Sequence, residues 1–295
     1  MVRVLVYGSL NIDLVFAVDH IVLPGETVSS SGFARNAGGK GANQAAALAK
    51  AGLDVFIAGK IGRDGEFLLK LLKSYGVDTR FVSVYEGSTG NALIQVDGGG
   101  QNSIVLYAGG NGDISAHEVE KVIAAFDSGD YIVMQNEIAR TKEIIAAAKK
   151  RGLKIHLNPS PYNEKIGALP LDAVDCFFVN ELEGAALAGL PKDAPPAAVL
   201  DKLTGRFPKA EIILTAGKNG AYYGQGGVRE YAAIVDAPVV DTTGAGDTFT
   251  GYFLAARVKG LDVRGALETA SKASSITVSR KGAMESVPFA PEVFV

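Results

Sequence analysis

The 295-residue chain has one cysteine, Cys176, so it can form no internal disulfide. Cysteine scarcity fits a reducing compartment. Cys176 stands in the apolar run DCFFVN, where a small buried core residue is expected. Histidine is scarce as well, and His20, His117 and His156 share no metal-ligand spacing. Positive charge is not in excess: 29 Lys and Arg against 32 Asp and Glu leave a net charge of −3, with no basic stripe, so nucleic acid is not an expected partner. No apolar run reaches the ~18 residues of a membrane span. The opening MVRVLVYGSLNID lacks a charged n-region and a long apolar h-region, so no targeting segment is expected. The expectation is a soluble, cytoplasmic protein without membrane contact.

What is present suffices for a sizeable core: 47% of residues are hydrophobic and 21% are charged. Strand-like runs alternate with alanine-rich helical runs. VRVLVYG, DVFIAG, DYIVMQ, LKIHLN, DCFFVN and EIILTAG are nearly continuous in apolar residues, as strands covered on both faces should be. Helical patterns lie between or after them: NQAAALAKAG, GEFLLKLLKSYG, AHEVEKVIAAFD, TKEIIAAAKKRG, GDTFTGYFLAARVKG and RGALETASKASSITVSR. That alternation predicts an α/β fold with a doubly wound, mostly parallel sheet flanked by helices. Ligands in such sheets gather beyond the C-terminal strand ends.

Two stretches break the rhythm. Residues 11–36 hold no helical pattern, and within 84–108 NALIQVDGGGQNSIVLYAG places two strand-like runs around a glycine-rich turn. They predict a small β-sheet lid built from two insertions in a single domain over 1–295; a static flap or a subunit contact is the alternative.

The stretch DTTGAGDTFTGYF crowds Gly244, Ala245 and Gly246 against Asp247 at a helix start. Free N–H groups in a first helical turn point outward and attract anions. Small residues there let a phosphoryl group reach the backbone, and a carboxylate beside it can accept the proton of an attacking hydroxyl. A plain helix start is the competing explanation. A second cluster, NAGGKGANQAAALAK, is not a phosphate-binding P-loop, because no Gly precedes a Gly-Lys-[Ser/Thr] at the required spacing, and not a dinucleotide fingerprint, because Gln44 stands where the third glycine belongs. It leaves a bare turn at Gly38 and Gly39, then Lys40 and Asn43, suited to a hydroxyl-rich ligand or to simple packing.

Asn11 and Asp13 project to one side of an extended chain and can grip vicinal hydroxyls, or they are turn residues. Glu137 lies just past a strand. Asn180 and Glu183 share one face at a helix start, where they can order waters around Mg²⁺ or form a cap with a solvated glutamate. Gly217 and Gly220 in TAGKNGAYY permit a turn against a nucleotide.

In order, GSLNID, GGKGANQ, MQNE, NELE, TAGKNG, DTTGAGDTFTG and SRKGAMESVP resemble the ribokinase-like carbohydrate kinases, or phosphofructokinase B family, across nearly the whole chain. The resemblance implies ATP-dependent phosphorylation of a sugar hydroxyl, with the 5-hydroxyl of D-ribose first and fructose, a ketodeoxy sugar acid or a nucleoside as alternatives. Asp247 would be the base, with the backbone of 244–247 as anion hole. Asn11, Asp13, Gly39, Lys40, Gly41, Asn43 and Glu137 would hold the sugar. Asn180, Thr215, Gly217, Lys218, Gly220, Gly246 and Ser271 would line the ATP site, and Glu183 would bind Mg²⁺ through water. Asp241, Thr243, Thr277, Arg280, Gly282 and Ser286 would hold K⁺, several through carbonyls. A homodimer through the lid is also implied. A non-catalytic sugar sensor on the same fold is the competing class, and a nicotinamide dehydrogenase is disfavoured by the missing fingerprint.

Overall fold

The chain order follows from where apolar runs meet turn residues, and the computed structural model describes residues 2–294. Met1 and Val295, the ends of the expected 1–295 unit, lie outside the described residues. Strand β1 (Arg3–Tyr7) turns into β2 (Asn11–Ala17) and β3 (Gly32–Gly38). Helix α1 (Lys40–Lys50), β4 (Asp54–Gly62), α2 (Glu66–Ser74) and β5 (Asp78–Tyr85) follow. The hairpin of β6 (Gly90–Val96) and β7 (Asn102–Tyr107) precedes α3 (Ala116–Ala124), β8 (Tyr131–Gln135), α4 (Thr141–Arg151) and β9 (Lys154–Asn158). Next come β10 (Cys176–Asn180), α5 (Glu181–Ala188), α6 (Pro196–Arg206) and β11 (Glu211–Thr215). The meander β12 (Ala221–Gln225) and β13 (Val228–Ala232) leads to α7 (Ala245–Val258), α8 (Val263–Val278) and the short α9 (Ala290–Val293).

Nine strands form one sheet in the order β13-β12-β11-β10-β9-β8-β1-β4-β5. Every pair from β5 to β11 is parallel; only the β12 and β13 edge is antiparallel. One face buries Leu5, Met134, Phe177 and Leu214 under α3 to α6, and the other buries Val4, Ile57, Phe178 and Ile213 under α1, α2, α7 and α8. The strand order reverses at β1, with β4 to one side and β8 to the other. This is the switch point at which such sheets form a crevice.

The expected strand runs all lie in this sheet. The sequence reading did not single out β5, β12, β13 or α6. The edge strands β12 and β13 carry mixed polar and apolar residues (AYYGQ, VREYA), because only one face needs covering.

A separate four-stranded sheet, β3-β2-β6-β7, is built from the two rhythm-breaking stretches. Strand β2 pairs parallel with β6 and antiparallel with β3, and β6 with β7 closes the expected hairpin. In its turn, Asp97 Oδ1 accepts from the N–H groups of Gly99 and Gln101, both at 2.9 Å. Strand β2 leaves directly from the end of β1, so the small sheet rises at the crevice.

Candidate active site

Helix α7 begins in a left-handed turn at Gly244, φ +77°, a conformation that favours glycine. Ala245 N–H donates to Thr242 O at 3.3 Å. The N–H groups of Gly246 and Asp247 have no acceptor among the described residues. Two amides of the first turn therefore stay free, and they face a cleft of about 160 Å³ lined by Lys40, Asn180, Glu183, Thr215, Gly246 and Asp247. The helix dipole adds partial positive charge at that spot.

Asp247 is 9% exposed, and both carboxylate oxygens are held. Asn43 Nδ2 donates to Oδ2 at 3.0 Å, and Gln44 Nε2 donates to Oδ1 at 2.9 Å. Burial raises the Asp247 pKa, opposed by the Lys40 charge and by the two amide donors. Among the described residues no ion pair takes the carboxylate out of use, so its remaining lone pairs can accept a proton from the cleft.

Helix α1 is set close against the end of β1. A Cβ at Gly41 would overlap the backbone of Gly8 and Ser9, so glycine is required there. Gly39, φ +93°, starts the helix without a side-chain cap. Glu137, just past β8, supplies the cap from a distance: its Oε2 accepts from Lys40 N–H at 3.2 Å and from the Ser9 hydroxyl. Burial lowers the pKa of the Lys40 ammonium, but the carboxylates of Asp247, Glu137, Glu183 and Asp13 outweigh it and hold the group above its usual range.

Asn11 is buried, and its Oδ1 accepts from Asn111 Nδ2 at 2.7 Å. Asp13 packs on Gly38. Burial, and after it the Glu137 charge, push its pKa up to about 7. One ammonium thus sits among four carboxylates, an environment that accepts hydroxyl donors and repels anions. Arg35 adds no cation here, since its guanidinium reaches Asp64 O and lies 4.5 Å from the Phe67 ring centre.

On the other side of Asp247, Asn180 and Glu183 form a capping box on α5. Asn180 Oδ1 accepts from Glu183 N–H at 2.9 Å, and Glu183 Oε2 accepts from Asn180 N–H at 3.1 Å. Glu183 is buried rather than solvated. A buried carboxylate held by hydrogen bonds and open to the cleft suits an outer-sphere site for a water-rich Mg²⁺. Gly217 and Gly220 have positive φ in the turn after β11, and Lys218 is exposed. Ser271 is buried on α8 and does not line the cleft.

The six residues of the implied K⁺ site lie on two adjoining segments. Asp241 Oδ1 accepts from Thr243 N–H at 2.9 Å and Oδ2 from Gly282 N–H at 3.0 Å. Val278 O joins them by accepting from Val240 N–H at 2.8 Å. The Arg280 guanidinium pairs with Glu292, which leaves only its carbonyl for a cation. Thr277 and Ser286 are fully buried or nearly so. An all-oxygen set of carbonyls, hydroxyls and one carboxylate fits a hard monovalent cation.

Sequence reasoning passed over Ser9, Gln44, Asn111, Gln135 and Asn158. A signal was available: strands β8, β9, β10 and β11 each end in a polar residue. Gln135 pairs in register with Asn158, and Asn180 with Thr215. Polar residues closing apolar parallel strands mark the ligand end of the sheet.

The sequence profile of the pfkB family carbohydrate kinases matches residues 1–290. A ribokinase of Staphylococcus aureus (strain COL) is 34% identical over 304 residues, covering 99% of this chain and 98% of that one. The crystal structure of a ribokinase from Cryptococcus neoformans var. grubii serotype A in complex with ADP superposes with a TM-score of 0.88 at 36% identity, covering 99% of each chain. An Arabidopsis thaliana ribokinase complexed with ribose and ATP gives a TM-score of 0.86 at 30% identity, covering 99% of this chain and 98% of that one.

Proposed function

This chain belongs to the pfkB family of carbohydrate kinases, and from that premise we propose that it transfers the terminal phosphate of ATP to the 5-hydroxyl of D-ribose. The observation that carries the proposal is the Asp247 carboxylate, unpaired by any cation and facing a cleft beside two free N–H groups. Asp247 accepts the proton of the attacking hydroxyl, and the first turn of α7 stabilises charge on the moving phosphoryl group. Asn11, Asp13, Gly39, Lys40, Gly41, Asn43 and Glu137 bind the sugar. The four carboxylates around Lys40 favour a neutral sugar over a sugar acid. The complexes named for the Cryptococcus and Arabidopsis enzymes support adenine nucleotide as donor and ribose as acceptor.

Asn180, Thr215, Gly217, Lys218, Gly220 and Gly246 receive the nucleotide, while the buried Ser271 stays out of contact with it. Glu183 orders the water shell of Mg²⁺, which offsets phosphate charge when bound. Asp241, Thr243, Thr277, Arg280, Gly282 and Ser286, on the adjoining 241–243 and 277–286 segments, would hold K⁺. Gly244 packs on Ala283, with 3.3 Å between a Cβ built at Gly244 and Ala283 Cα, so the cation loop buttresses the anion hole. The whole chain acts as one catalytic unit in which the small sheet is a lid that excludes water and joins two copies as a homodimer. A cytoplasmic location would supply its ATP.

A ³¹P NMR screen of D-ribose, deoxyribose, fructose, a ketodeoxy sugar acid and adenosine, run in K⁺ and in tetramethylammonium, tests this. Ribose should give the highest kcat/KM, and K⁺ should raise it. A higher kcat/KM for another acceptor would displace ribose, and equal rates in the two cations would remove the K⁺ site.

A further inference from the structure

Gln44 is fully buried, yet neither the sugar nor the nucleotide assignment uses it. Its Nε2 donates to Asp247 Oδ1 at 2.9 Å and points toward Asn158 Oδ1 at 3.4 Å. Its Oε1 accepts from Gln135 Nε2 at 2.6 Å. Gln135 is fully buried too, and its own Oε1 has no partner among the described residues. That oxygen abuts Gly8, where a Cβ would overlap it.

The chemistry of the acceptor fixes the whole chain. An ionised carboxylate only accepts, so Gln44 must present its nitrogen to Asp247. Its oxygen then faces Gln135, which must present its nitrogen in turn. On the other side Asn43 also offers Nδ2. A proton on a lone pair that faces the cleft leaves both amides in place but weakens their hydrogen bonds, since a neutral carboxyl is the poorer acceptor. A proton on an amide-held lone pair would need an acceptor that neither neighbour supplies unless amides turn over. The buried side chains around Gln135 oppose that rotation.

We propose that Gln44, locked by Gln135, is the positioning residue that keeps Asp247 ionised and aims its free lone pairs into the cleft. The inference rests on Asp247 being the base. Charge-assisted hydrogen bonds are about twice as strong as neutral ones, and donors to the charged form favour that form. Burial works in the opposite direction. The charged groups facing Asp247 are Lys40 on α1, which favours ionisation, and Glu137 beyond β8, which opposes it; Asp13 on β2 and Glu183 on α5 surround the same ammonium. The Gln44 amide is thus one of three influences that hold the base ready.

The test is the acid limb of kcat at saturating ribose, which reports groups in the ternary complex and separates Asp247 from sugar-binding carboxylates. Gln44→Met keeps the volume and removes the donor. Its acid limb should move up by about one pH unit, a tenfold change in the proton affinity of the base, while the plateau at high pH falls less than tenfold and the ATP affinity holds. Gln135→Met leaves Gln44 in place but free to turn, and should move the limb the same way by less. It also serves if Gln44→Met does not fold. A folded variant of either kind with the wild-type limb overturns the relay. A wild-type protein that phosphorylates no acceptor in the screen defeats the kinase assignment instead, so the two failures are told apart.

Discussion

At the scale of single residues, the site balances burial against donors. Asp247 and Asp13 are both carboxylates pressed toward neutrality, but only Asp247 has amides on each oxygen. Asp13 has burial and Glu137 against it, with Lys40 the opposing charge, and its pKa stands at about 7. An unfolded Asp titrates near ~3.9. The folded chain therefore binds more protons than the unfolded chain between about pH 4 and 7, and stability falls as pH rises through that window. Two results follow. Ribose KM should rise about tenfold per unit as pH drops below 7, because protonated Asp13 loses acceptor capacity. Asp13→Asn should melt a few degrees higher than wild type at pH 8 and at the same temperature at pH 4, as scanning calorimetry will read. A KM flat from pH 8 to 5 would show that Asp13 does not hold the sugar as a carboxylate.

At the scale of elements, the parallel spine was legible because strands covered on both faces must be apolar throughout, as in VRVLVYG and DCFFVN. The small sheet was legible from the loss of helical period over 11–36 and from the glycine turn near Gly98. The edge strands β12 and β13 were not, since half-covered strands with mixed residues carry no strong period. The site was half legible. Asp247 could be found because glycines crowd it, and Asn11 and Asp13 because extended spacing puts them on one side. Gln135 and Asn158 showed only as polar ends of apolar strands, and their link to Gln44 was hidden for a physical reason. Their roles depend on contacts across more than 90 residues of sequence, which local spacing does not encode. The Asn180 and Glu183 pair shows a residue doing two jobs: the cap that starts α5 also fixes a buried carboxylate at the cleft. The structure brings the implied cation residues onto adjoining segments, although 45 positions separate Asp241 from Ser286 in the chain.

At the scale of the whole molecule, the small sheet leaves apolar side chains uncovered. Phe33, Ile104, Val105, Leu106 and Tyr107 are all exposed, and β7 is an edge strand. An apolar edge of this kind invites pairing with another chain. A second copy meeting it would close the patch and stiffen the cover over the sugar. Val105, 64% exposed, is the place to break such a contact. Val105→Glu should sediment as a monomer at concentrations where the wild type is a dimer, with ribose KM raised several-fold. A wild type that is monomeric at all concentrations would assign the apolar patch another role.

The most direct measurement compares turnover and sugar affinity in Asp247→Asn. Asparagine keeps the shape but cannot take a proton. The account predicts that kcat for ribose phosphorylation falls by about 10²–10⁴, the range of a lost general base, while ribose Kd by calorimetry stays within a few-fold of wild type. A kcat close to wild type, with the fold intact, would contradict it.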